Sequence, residues 1–266
     1  VRVRPVWALR LIVSGAILVI LLLFVVPLEA LSQALFTISP GVIVAAVALF
    51  LCGHVVAASK WRLLMQQPQI TLWTVLRAHF GGLVANLCLP SVAGGDVVRA
   101  VWMMREVDTP ESVAIASVAD RGVDVFGLLV LVGSGWLVLE RHDRRVADAV
   151  APVAALVTVG VAVAIVAGRI IARRPRSGLI GRVIHAVRVL VARPGLLLAA
   201  LALSVTVQAM FISINAWLGA AAGVEVSIAA WFVAWPLAKL IALVPISLGG
   251  IGIREAALVG LLTALG

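Results

Sequence analysis

The sequence predicts an all-α polytopic membrane protein of about five full spans plus two Gly/Pro-broken re-entrant helical hairpins related as an inverted repeat. Three observations carry this expectation. The 266 residues are 63% hydrophobic and 12% charged, with a mean hydropathy of +1.18, more apolar surface than a soluble domain of that length can bury. The apolar runs are long and unbroken, unlike the alternating segments of about ten residues that build a membrane β-barrel. The frame Pro, three residues, Gly-Gly, three residues, Arg occurs twice, in LPSVAGGDVVRA (89–100) and VPISLGGIGIRE (244–255).

Residues 1–266 read as a single transmembrane domain. Leu11–Leu28 holds no charge over 18 residues and forms the first span. Arg2, Arg4 and Arg10 precede it and place the N-terminus in the cytoplasm. A signal peptide fits less well, because Pro27-Leu28-Glu29 follows in place of a small-residue cleavage site. Ile38–Ser59 is the second span, ending inside at Lys60 and Arg62. Thr71–Leu89 is apolar but interrupted by Arg77, His79 and Gly81-Gly82, and Pro90 ends it. Gly94-Gly95 and a short helical stretch, Asp96–Arg105, follow. Arg99 and Arg105 mark the cytoplasmic side, so 71–105 reads as a broken hairpin dipping in from there.

Thr109 or Ser112 caps the third span, with Pro110 and Glu111 in its first turn. It runs to about Leu139 and carries Asp120, Arg121 and Asp124. The loop 140–148 (ERHDRRVAD) falls outside, against the bias of its three Arg, and Ala149–Gly168 is the fourth span. Residues 169–193 hold seven Arg and no acid, which marks a cytoplasmic loop. Within it, LIGRVIHAVRVLV (179–191) sets Arg182, His185 and Arg188 on one face and Ile180, Val183, Ile184, Val187 and Val191 on the other, an amphipathic helix on the inner leaflet. Pro194–Gly223 is the fifth span, reaching the outside at Glu225. Residues 227–266 form the second broken hairpin, entered from outside. Pro236 and Lys239 interrupt its first part, Pro245, Gly249, Gly250 and Gly252 make its turn, and Arg254 and Glu255 open the last helix.

The net charge of +9, from 19 Arg and 2 Lys against 12 acids, fits loops facing the cytoplasm and anionic headgroups, with no nucleic-acid partner. Cys52 and Cys88 lie in apolar runs without a CxxC or Cys/His cluster, so neither a disulfide framework nor a metal site is expected. No cofactor motif and no catalytic constellation stands out, and without a GxxxxGK[ST] motif ATP does not drive the protein directly. The eight Trp read as interfacial anchors.

Broken backbone at membrane depth is tolerable only when buried in protein or facing a water-filled cavity. Helices that start at Gly-Gly offer free N–H groups and positive partial charge. An Arg one turn later adds a fork matched to phosphate oxygens. The competing reading gives each Gly-Gly only a close helix contact and lets each Arg snorkel. Asp120 and Asp124 lie four apart on one face, beside Arg121. Asp120 could pair Arg99 or Arg254, relay protons, or sit in a charge pair near the inner interface. Lys239 either joins the site or snorkels, and Glu255 pairs Arg254 or takes a proton. His54 and His79 look isolated and read as packing residues.

NLCLPSVAGGDVVRA, then ASVADRGVD, then PISLGGIGIREAAL resemble, in that order, the lysylphosphatidylglycerol synthase transmembrane-region family, also called flippase-like membrane proteins. The resemblance implies a polytopic protein of a bacterial or archaeal cytoplasmic membrane. It also implies translocation of a phosphate-headgroup lipid, such as an aminoacylated phospholipid or a polyprenyl-phosphate-linked sugar. The first motif carries over to Asn86, Pro90, Gly94, Gly95 and Arg99, the second to Asp120 and Arg121, and the third to Pro245, Gly249, Gly250, Gly252, Arg254 and Glu255. With Asp96, Asp124 and Lys239 these are the candidate substrate-binding residues. Synthase members also carry a soluble aminoacyl-transferase domain. None lies within these residues, so the synthase activity is not carried over.

The leading expectation is therefore a lipid flippase, not an enzyme, with Arg99 and Arg254 on the headgroup phosphate. The alternatives are an intramembrane lipid-phosphate transferase and a non-catalytic membrane partner of a lipid synthase. The Arg-rich loop could dock such a synthase or bind headgroups alone, and a homodimer stays open.

Overall fold

The computed structural model describes residues 36–88, 94–142, 193–243 and 252–266, with Ala151, Pro152, Ala155 and Val159 besides. The expected first span, the turn residues 89–93 and 244–251, most of the fourth span and the Arg-rich segment up to residue 192 lie outside the described residues. Among the described residues there are seven helices and no strand. They are α1 Pro40–Met65, α2 Leu72–Cys88, α3 Gly94–Met104, α4 Pro110–His142, α5 Pro194–Ala221, α6 Ile228–Ile241 and α7 Ile253–Leu265.

Among the described residues, three helices are long and apolar enough to cross a membrane: α1, α4 (over Pro110–Leu139) and α5. Their mean hydropathies of 2.4, 2.0 and 2.2 exceed what a buried soluble helix needs. α1 starts where the Ser39 side chain accepts from the Val42 N–H, with Pro40 in the first turn. It ends on Gln66 in a left-handed conformation, φ 53°. The sequence reading stopped this span at Lys60. The helix instead continues to Met65, because Lys60 is buried and neutralised inside the protein, not held in a cytoplasmic loop.

α6 corrects a second expectation. Pro236 does not interrupt it. The helix runs through Pro236, which is fully buried, so the backbone bond that proline cannot make is lost inside a packed core and away from lipid. Ser227 starts α6 by accepting from the Ala230 N–H at 3.2 Å.

α1, α4 and α5 pack on one another, and two helix pairs flank them. The α2–α3 pair sits where α1 ends and α4 and α5 begin, around Trp61, Leu64, Val75, Met103, Val113 and Ala200. The α6–α7 pair sits at the other end, against Val132 and Leu139 of α4 and Ile212 of α5, with Trp231, Val233 and Leu261. The α2–α3 crossing depends on two glycines. A methyl on Gly82 would stand 2.7 Å from the Gly95 carbonyl oxygen, and one on Gly95 would meet the Gly82 carbonyl oxygen. α7 begins at Gly252, whose φ of 85° suits glycine.

Candidate functional site

Charges concentrate where the α2–α3 pair meets α1 and α4. Asp120 on α4 is 3% exposed and receives two cations. Arg99 Nη2 donates to its Oδ2 at 2.8 Å, and Lys60 Nζ stands 3.0 Å from its Oδ1. Lys60 also reaches Asp124 Oδ1, to which the Ser204 hydroxyl of α5 donates at 2.6 Å. Arg99 Nε lies 3.1 Å from Asp96 Oδ1, an ion contact without hydrogen-bond alignment, and Arg121 holds that same oxygen at 2.5 Å. Three cations (Lys60, Arg99, Arg121) thus face three carboxylates (Asp96, Asp120, Asp124), for a net charge of zero. Lys60, Arg99 and Asp120 are buried, and burying any one of them alone would cost several kcal/mol, about 3–5 when one partner of a pair is removed, whereas Arg121 is exposed. The balanced node avoids that cost and ties α1, α3, α4 and α5 together. The indole of Trp61 lies under Arg99, 4.5 Å from the guanidinium carbon.

The node extends through two buried histidines. Arg99 Nη1 is 3.3 Å from His79 Nδ1, and His79 Nε2 is 3.0 Å from His54 Nδ1. The reading of His54 and His79 as isolated packing residues is therefore corrected. They face each other across α1 and α2, and their 25-residue separation carries no periodic signal. The His54 ring is edge-on to Phe50 at 4.4 Å and 5.2 Å from the Phe211 ring.

Beyond these two phenylalanines lies a cavity of about 430 Å³ between α1, α5, α6 and α7. Its wall is mostly apolar, with Phe50, Phe211 and Trp235 among the larger groups. Its polar lining comes from Asn215, Lys239 and Arg254. Lys239 Nζ donates to Gln208 Oε1 at 2.8 Å, so it is anchored within the protein. The Arg254 side chain is 45% exposed, bonds the neighbouring Glu255 at 2.6 Å, and has its guanidinium carbon 5.9 Å from the Trp235 ring centre.

The structure divides the candidate residues between two places. Asp96, Arg99, Asp120, Arg121 and Asp124 meet in the node, while Lys239 and Arg254 line the cavity. Of the open pairings of Asp120, the one with Arg99 is formed. Of the N–H groups expected to be free near the two breaks, those of Gly95 and Gly252 have partners. Gly95 N–H donates to Asn86 Oδ1 at 2.7 Å, and Gly252 N–H to Glu255 Oε2 at 2.7 Å. Gly94 opens α3. Pro90, Pro245, Gly249 and Gly250 lie outside the described residues. Sequence reasoning did not select Lys60, His54, His79, Ser204 or Gln208. Lys60 had a usable signal, an amine beside an apolar run whose helical pattern continues to Met65.

Apolar helices long enough to cross a membrane, with a neutralised set of largely buried charges between them, define a polytopic membrane protein. More particularly, the chain belongs to the lysylphosphatidylglycerol synthase TM region family, whose profile matches residues 7–266. Membership makes it a membrane protein of lipid metabolism or transport. No curated protein and no solved structure matches it significantly.

Proposed function

We propose that the protein is a flippase that moves a phosphate-headgroup lipid across the cytoplasmic membrane, with the headgroup held in the cavity by Arg254 and Lys239. The observation that carries this reading is the cavity itself. It is large enough for a small headgroup, falls within the usual roughly 300–1,000 Å³ of ligand sites, and pairs an apolar wall with two cations. Arg254 keeps part of its fork exposed, as a group that must exchange partners with a phosphate needs to.

In this reading the N-terminus is cytoplasmic and the two helix pairs are re-entrant halves of an inverted repeat. One pair closes the inner end of the path and the other the outer. Arg99 binds the phosphate only after leaving Asp120, so this conformation has its inner site shut and its outer site formed. The packing of the two pairs at opposite ends of α1, α4 and α5 supports the assignment.

The test is lipid movement in proteoliposomes, with headgroup-labelled phosphatidylglycerol and a polyprenyl-phosphate sugar as alternative cargoes. Movement of one lipid class should fall at least about tenfold in Arg254→Ala and in Lys239→Ala, the loss of one charge-assisted contact each. A well-folded protein that moves neither lipid would sink the flippase reading and favour a membrane partner of a lipid synthase.

A further inference from the structure

We propose that Asn215 is a specificity-determining residue of the cavity, its Oδ1 accepting a hydrogen bond from an O–H or N–H group that the headgroup carries beyond its phosphate. The proposal rests on the reading of the cavity as a phosphate-headgroup site and names the class of headgroup that the site selects.

Phe211, Ile214, Asn215 and Leu218 all line the cavity. Their spacing makes one stripe along α5, and Asn215 stands inside it. A side-chain amide has an NH₂ end that donates and an oxygen that accepts. Asn215 Nδ2 donates to the Phe211 carbonyl oxygen, one turn back, at 2.7 Å. That bond fixes which end is which, because the flipped amide would set two acceptor oxygens against each other. The nitrogen is held by its own helix, and Oδ1 is the end left for another partner. It has none among the described residues. Nor is it sealed in. The unpartnered polar atoms closed off by burial are His54 Nε2, Arg99 Nε, Asp120 Oδ1 and Trp235 Nε1, and Asn215 Oδ1 is not one of them.

The neighbouring groups say what this oxygen would accept from. The other polar side chains of the lining, Lys239, Arg254 and the Trp235 indole, can only donate. Among the described residues, Asn215 Oδ1 is therefore the side-chain acceptor of the cavity. A phosphodiester suits the two cations but has no hydrogen to give to the amide. A headgroup that filled the cavity without a donor would strand Oδ1 away from water, which is unfavourable. A hydroxyl or amine next to the phosphate removes that cost. The cavity thus reads a composite, an anion with a hydrogen-bond donor beside it. A methylated headgroup such as choline carries no such donor.

The experiment is calorimetric binding to the full chain in phosphatidylcholine nanodiscs. The probes are dihexanoylphosphatidylglycerol and dihexanoylphosphatidylmethanol, which match in charge and tails and differ in the glycerol hydroxyls. Wild type should prefer the glycerol probe about fivefold, the worth of one hydrogen bond. Asn215→Leu should abolish the preference by weakening the glycerol probe alone. Asn215→Ala, which adds no atom, serves if leucine disturbs the packing. The proposal is overturned if wild type binds the two probes alike or binds neither, if the folded variants keep the preference, or if they weaken both probes equally, as a merely structural asparagine would. Glycerophosphoglycerol, which has no tails, separates the sources. If it binds as well as the lipid and is equally sensitive to Asn215, the residue keeps its role and the ligand is a soluble phosphodiester. An Asn215-dependent preference without lipid movement would sink the flippase reading and keep this one. Movement of both lipids at rates that ignore Asn215 would do the reverse.

Discussion

Arg99 and Arg254 close the same Pro-x3-Gly-Gly-x3-Arg frame, and each guanidinium lies near an indole, Trp61 at 4.5 Å and Trp235 at 5.9 Å. From there they part. Arg99 is 4% exposed and engaged by Asp96, Asp120 and His79. Arg254 borders a cavity and has its neighbour Glu255 as its ion-pair partner among the described residues. The difference begins inside the frames. The first reads Gly-Gly-Asp-Val-Val-Arg and so places a carboxylate one helical turn before its arginine. The second reads Gly-Gly-Ile-Gly-Ile-Arg, and its acid comes after the arginine, where it turns back to the Gly252 N–H. The first frame carries its counterion ahead of the arginine and largely buries the pair, and the second carries it behind and leaves the pair half-exposed.

The comparison is broken most forcefully at Asp120. Asp120→Asn leaves Lys60 and Arg99 sharing one carboxylate fewer and should destabilise the protein by about 3–5 kcal/mol. Thermal unfolding in detergent would register it, and an unchanged midpoint would mean that the node does not hold the fold. Lys60→Met should be similarly harmful alone, whereas Lys60→Met with Asp124→Leu restores charge balance and should recover most of the loss. A strictly additive double mutant would contradict that pairing.

The next largest effect tests the helix pairs. Gly95→Ala drives a methyl into the Gly82 carbonyl, which cannot yield as a flexible side chain would, and should cost about 1–3 kcal/mol. Gly260→Ala in α7 meets nothing within 4 Å and should stabilise by about 0.5–1 kcal/mol. Equal outcomes would mean that the Gly82–Gly95 contact does not hold the first pair together. The smallest expected change in stability is Arg254→Ala, under about 1 kcal/mol for a half-exposed ion pair, although lipid movement should fall about tenfold. A large loss of stability there would make Arg254 a second structural arginine.

Much of the membrane architecture was legible in the sequence because lipid imposes it locally. A run such as 194–221 declares itself by hydropathy, and its helix ends within two residues of the expected Gly223. The broken pairs were legible through Gly and Pro. Pro236 misled because proline stops a helix only where the lost bond matters, and that depends on what packs around it. Lys60 misled for a related reason. A basic residue at the end of an apolar run usually marks the interface, and the carboxylates that bring this one inside stand 60 and 64 positions later. The His54–His79 contact joins two helices through side chains at no telling interval, so it needed coordinates to be seen.

The neutral node also has a consequence for how the protein is made. Its six charges are written into the chain in the order Lys60, Asp96, Arg99, Asp120, Arg121, Asp124. When α1 leaves the ribosome, its cation has no counterion inside the bilayer, and the two that will neutralise it belong to a helix not yet synthesised. The lysine of α1 can meet its two carboxylates only once α4 has been made, so its ion pairs in this node form after α4 is synthesised.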